Sequence, residues 1–246
     1  MYKLIIFDFD GPILDSFKVG RESISLARKR LIAEGLIVAE KLPELSEKSI
    51  IANWGYPGPI AIKKLFPELN EKEVAALGVV WGQTQQDKEI PFVEKTAETL
   101  KYLKDSGYAI GLLTSRVFNL DYHLEKGKLF EYFNFIQSWL YPEIKNQKPI
   151  RENHFLEVAF KPNPEVFEKV LLWVKQNSIK KEEILMIDDS LVGLNAARGA
   201  NIEFLGVLTG PMASKEKWQE YGNLGPECVI NSIADLPSWL ENQKRV

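Results

Sequence analysis

The chain has 246 residues, 45% of them hydrophobic, which suffices for one large domain or for a medium-sized core with a smaller companion. Its 31 basic and 34 acidic side chains leave a net charge of −3, so there is no basic footprint for nucleic acid and no polybasic surface for anionic lipid. The single cysteine, Cys228, excludes an intramolecular disulfide and a cysteine-rich zinc site, and His123 and His154 are too few for a multi-histidine centre.

In chain order, the first apolar run is Leu4–Phe7, and it stops at Asp8 and Asp10. That is too short for the core of a secretory signal, and no apolar stretch approaches the ~18 residues of a membrane span. A reducing, cytoplasmic setting is expected. Residues 17–34 keep Ile24, Ala27 and Leu31 in helical step, and 60–66 and 71–86 also read as helices. Gly55, Pro57, Gly58, Pro59, Pro67 and Asn70 separate them. A helix is predicted over 92–105, with Phe92, Val93, Ala97, Leu100 and Leu103 on its apolar side and Gly107 after its end.

Short continuous apolar runs follow at 108–113, 133–136, 184–187, 202–208 and 228–230. Such runs, without alternation, suit parallel strands covered on both faces. Helices at 164–176 and 191–200 fall between them, the first with proline in its opening turn. The stretch 139–160, with Pro142 and Pro149, is expected to be a surface loop, the alternative being a binding loop. Strands alternating with helices predict an α/β fold with a doubly wound parallel sheet, a Rossmann-like core. Residues 15–90 are too long for a crossover and are expected to form an inserted helical cap, leaving 1–14 and 91–246 as the core.

Ligands of an open parallel sheet bind at the carboxyl edge of its strands. The first strand ends in Asp8-Phe9-Asp10-Gly11, the second in Thr114-Ser115 and the fourth in Asp188-Asp189-Ser190, while Lys161 precedes a helix start. Carboxylates gathered on one edge repel unless a cation lies between them, and oxygen-only ligands imply a hard cation, magnesium by default. Singly, each element admits a plainer role: a turn aspartate, a helix cap, a solvated lysine. His123, His154 and Cys228 match no motif and are read as structural.

Together, DFDGPILDS, GLLTSR, FKPNPEVFEKVL and MIDDSLVGLNAARGAN resemble the haloacid dehalogenase-like hydrolase superfamily, in its branch with a helical cap that includes phosphoglycolate phosphatase and β-phosphoglucomutase. The resemblance spans nearly the whole chain and implies a role for each matching residue. Asp8 is the implied nucleophile and Asp10 the acid–base group. Thr114 binds a phosphate oxygen, with backbone N–H groups near Gly11 and Ser115 assisting, and Lys161 neutralises charge. Asp8, the Asp10 carbonyl, Asp189 and Asp188 would hold Mg2+.

Two positions depart from the pattern. Pro12 stands where threonine is usual, removing a backbone N–H from the turn into the cap. Gly193 stands where many relatives carry another acid, and adjacent Asp188 and Asp189 replace that arrangement. The expected activity is hydrolysis of a small phosphorylated metabolite. Alternatives are a phosphomutase, or a phosphonate hydrolase using Lys41, Lys48, Lys63 or Lys64 in the cap. A non-catalytic role and true dehalogenation fit less well, since every reactive position is filled and Asp10 suits an alkoxide leaving group. Trp54, Tyr56, Lys63 and Lys64 are candidate cap contacts, with Arg21 and Arg116 as candidate anion contacts. Oligomeric state is left open.

Overall fold

The computed structural model describes every residue except Asp87, Pro142, Glu143, Lys145 and 244–246. In chain order its elements are β1 (Leu4–Phe7), α1 (Phe17–Ala33), α2 (Glu47–Asn53), α3 (Gly58–Leu65), α4 (Glu71–Gln86), α5 (Thr96–Asp105), β2 (Ala109–Thr114) and α6 (Leu120–Lys126). They continue with β3 (Phe135–Trp139), β4 (His154–Glu157), α7 (Glu168–Gln176), β5 (Ile184–Asp188), α8 (Leu191–Gly199), β6 (Glu203–Val207), α9 (Lys215–Gly222), β7 (Val229–Ile230) and α10 (Leu236–Gln243).

The seven strands form one parallel sheet in the order β4-β3-β2-β1-β5-β6-β7. Both faces are covered, as the unbroken apolar runs require. Ile5 and Phe7 join Leu112, Leu185 and Leu205 in one buried cluster with Leu100, Leu124 and Leu240. Leu4 and Ile6 point to the other face, into a cluster with Met186, Val170, Ala196 and Trp218. The fold is thus the doubly wound α/β architecture expected.

Several boundaries differ from the expected ones. The helix begins at Thr96, since Lys95 adopts a left-handed conformation that cannot continue a helix backwards to Phe92. The stretch 139–160 is not a surface loop throughout. It contains β4, which extends the sheet by pairing Ile136 with His154 and Trp139 with Glu157. With polar residues at both ends of only four, this edge strand lacks the apolar run that marks the others.

The helices between Phe17 and Gln86 bury an apolar cluster of their own, with Ile24, Leu31, Ile62, Phe66 and Leu77 at its centre. Two linkers join them to the sheet side by side. Asp15 N–H donates to Pro91 O (2.9 Å), Val93 N–H donates to Ile13 O (2.9 Å), and Leu14 bridges Phe92.

Candidate active site

Because β1 lies between β2 and β5, the residues that end these three strands are neighbours in space. Phe7 pairs with Leu112 and Ile187, so Asp8, Thr114 and Asp188 emerge on one edge. Asp8 is buried there, and its N–H donates to Ile187 O (2.8 Å). The turn that follows is tight: Gly11 has φ +92°, and Ile13 and Leu14 both donate to Phe9 O (3.2 and 2.8 Å). These bonds hold the turn with no donor from residue 12, which accounts for proline at that position.

Lys161 is 1% exposed, and its Nζ lies 2.6 Å from Asp188 Oδ2 and 3.1 Å from Asp8 Oδ1. Burial pushes the ammonium pKa down, but the two carboxylates outweigh it and hold the group above its ordinary value. Asp188 Oδ1 accepts from Ser190 N–H (2.9 Å) and Ser190 Oγ (2.7 Å), so both of its oxygens are engaged. A Cβ at Gly193 would overlap the Asp188 carboxylate, so the departure at this position makes room for the adjacent acid. Asp189 is packed in the same way against Gly11 and Gly210.

Asp8, Asp188 and Asp189 each offer an oxygen within 4.8 Å of the others. Burial first, and then mutual repulsion, drives the Asp189 pKa well above the carboxylate range. Asp8 is raised for the same leading reason, against the opposing pull of Lys161. Asp8 Oδ1 has no aligned hydrogen-bond donor although the Lys161 charge is near. An orphaned buried carboxylate oxygen beside two more acids is the donor set of a hard cation, and Mg2+ fits it.

Asp10 lies apart from this cluster. Arg116 grips it with both arms, Nε donating to Oδ2 (2.9 Å) and Nη2 to Oδ1 (2.6 Å). Burial tends to raise the Asp10 pKa, but Arg116, followed by a bond from Ser16, brings it below the ordinary value. The Arg116 side chain is therefore committed to Asp10. In the sequence Arg116 is marked only as a candidate anion contact, and nothing there singles out Ser16. The one signal for Arg116 was position, two residues beyond Thr114.

Thr114 is buried, and its Oγ1 accepts from Arg116 N–H (3.0 Å). Ser115 turns its hydroxyl to the helical insertion, donating to Gly55 O (3.2 Å). Gly55 has φ +100°, and a Cβ there would lie 2.7 Å from Ser190 Oγ. Tyr56 then meets Phe160, with Lys64 over its ring at 4.6 Å. Trp54 packs against Phe17 and Trp81, Lys63 caps α3 through Pro67 O and Leu69 O, and Lys41 pairs with Glu73. Arg21 and Lys48 are exposed. His123 is buried against Phe9, and His154 bonds Ser138 (2.8 Å).

A parallel α/β sheet with acids, a hydroxyl and a buried lysine on its carboxyl edge defines a hydrolase core of the phosphoryl-transfer kind. The family model for haloacid dehalogenase-like hydrolases matches residues 5–207, and the chain belongs to this family. It is 25% identical over 197 residues to the glyceraldehyde 3-phosphate phosphatase of Pyrococcus abyssi (strain GE5 / Orsay), covering 78% of this chain and 74% of that protein. A hydrolase from Pseudomonas syringae shares the fold with a TM-score of 0.67 and 21% identity over 98% of each chain. So does β-phosphoglucomutase from Clostridium difficile, with a TM-score of 0.60 and 19% identity over 96% of this chain and 93% of that one. No helix among the described residues is long and apolar enough to cross a membrane.

Proposed function

We propose that this protein hydrolyses a small organic phosphate monoester through an aspartyl-phosphate on Asp8, with Mg2+ as its cofactor. The observation that carries this reading is the buried trio Asp8, Asp188 and Asp189, with Lys161 3.1 Å from the nucleophile. The phosphatase relative supports a phosphorylated metabolite as substrate. Residues 15–90 act as the cap and 1–14 with 91–246 as the catalytic core.

Asp8, the Asp10 carbonyl, Asp189 and Asp188 would hold Mg2+, which would supply positive charge to offset the acids and the phosphoryl oxygens. The chain does the rest. An Asp8 carboxylate oxygen attacks phosphorus, and the bond to the leaving oxygen breaks as Asp10, which must first leave the Arg116 clamp and take up a proton, protonates it. Water then attacks phosphorus while Asp10 takes its proton, and the Asp8–phosphorus ester opens to release phosphate. Thr114 Oγ1 and the backbone near Gly11 and Ser115 hold the phosphoryl oxygens, and Lys161 stabilises charge as it builds up.

The test is a panel of phosphorylated metabolites assayed with Mg2+ and with chelator. Activity is expected to require the metal, and Asp8→Asn should lower kcat at least about 10³-fold while keeping the melting temperature. Full turnover by purified Asp8→Asn, or undiminished turnover in chelator, would overturn the mechanism.

A further inference from the structure

The phosphoryl-transfer chemistry leaves unused an unbroken run of aromatic rings along one flank of the site. Phe118, in the loop beyond Arg116, meets Tyr141 edge-on at 6.3 Å, and Tyr141 stacks on Trp139 at 5.0 Å. Trp139 meets Phe160 at 5.9 Å, and Phe160 meets Tyr56 of the helical insertion at 6.4 Å and 69°. Trp139 and Phe160 line a small cavity together with Thr114, Ser115 and Lys161.

We propose that Tyr56 and Phe160 clip a flat ring carried by the leaving group, so that the preferred substrates are phosphate esters of alcohols bearing an aryl or heteroaryl ring. This deepens the phosphohydrolase reading and rests on it. Phe160 is bonded directly to Lys161, whose ammonium lies 3.1 Å from Asp8, and Tyr56 directly to Gly55, whose carbonyl receives Ser115. Phe160 shares a cavity wall with Thr114 and Lys161, and Tyr56 contacts Phe160, so a leaving group extending from the phosphoryl site along this wall would reach the clip.

The two rings come from opposite sides of the seam between insertion and core, and both are only half-buried. Their single tilted contact is one that an incoming ring can replace with two face or edge contacts. The Lys64 ammonium lies 4.6 Å over the Tyr56 ring, a cation–π contact that restrains it. Phe118, 63% exposed, continues the apolar surface outward, as a ligand-binding patch does.

The experiment compares 2-phenylethyl phosphate with n-butyl phosphate. Both release primary alkoxides of similar basicity, so the ring is the variable. We expect kcat/KM to favour the phenyl ester by about tenfold in the native enzyme, a preference that falls to about twofold in Phe160→Leu and in Tyr56→Leu and is retained in Phe160→Tyr. Equal kcat/KM for the two esters, or a preference that survives both leucine variants, would overturn the inference and leave the hydrolase reading standing. If neither these esters nor any member of the metabolite panel is turned over in an Asp8-dependent way, the hydrolase reading falls and the inference falls with it.

Discussion

At the residue scale, Lys161 holds apart two carboxylates that would otherwise face each other in a site nearly closed to water. Removing one member of a buried pair strands the charge of the other, which typically costs about 3–5 kcal/mol. Lys161→Ala should therefore lower metal-free stability by that order as well as abolishing turnover. Added Mg2+ should recover part of the loss, which denaturant titration with and without the metal would measure. Asp188 and Asp189 divide by the same logic. Asp188 has its oxygens taken by Lys161 and Ser190, whereas Asp189 lies against two glycines. Neutralising either should raise the Mg2+ needed for half-maximal activity, Asp189→Asn by at least about tenfold and Asp188→Asn by less. A larger shift for Asp188→Asn in a magnesium titration would reverse the assignment.

At the element scale, the turn between α2 and α3 and the edge strand β4 each depend on one residue. Gly55 combines φ +100° with a close approach to Ser190, so Gly55→Ala should destabilise by at least about 1–2 kcal/mol and lower kcat/KM. Gly58→Ala, three residues on and facing open space, should stay within about 0.5 kcal/mol in the same melting experiment. In β4, the Ile150 N–H donates to His154 Nδ1 (2.9 Å), so the ring proton sits on Nε2 and meets Ser138 Oγ. Burial pushes the His154 pKa down to about 4. The unfolded chain, titrating near 6.5, then binds more protons between about pH 6.5 and 4, and stability falls as pH falls through that window. Going from pH 6.5 to 5 should cost on the order of 1–2 kcal/mol, a slope that His154→Gln should flatten in urea titrations.

At the scale of the whole molecule, the helical insertion closes over the carboxyl edge of the sheet. Ser115 meets Gly55, Tyr56 meets Phe160, and farther out Lys217 Nζ pairs with Glu47 Oε1 at 2.5 Å. The last pair is exposed and screened by water, so its loss should hardly change stability. Lys217→Ala should melt within a few degrees of the native protein, and a larger drop would show that the pair anchors the insertion.

Much of this was legible in the sequence because the signals are local. A buried strand cannot carry a charge through its middle, so the apolar runs 4–7 and 184–187 stop where Asp8 and Asp188 begin, and the acids mark the edge of the sheet. Apolar spacing likewise marked α1, α3, α4 and α5 between β1 and β2, but not the short α2. Only the tertiary structure decided which charges face each other. Lys161 reaches Asp8 and Asp188, and Arg116 reaches Asp10, because β1 lies between β2 and β5, an order set by how the whole sheet buries its two faces. The short strand β4 and the Tyr56–Phe160 contact stayed hidden for the same reason. Each is stabilised by partners far away in the chain, and local spacing carries no record of a distant partner.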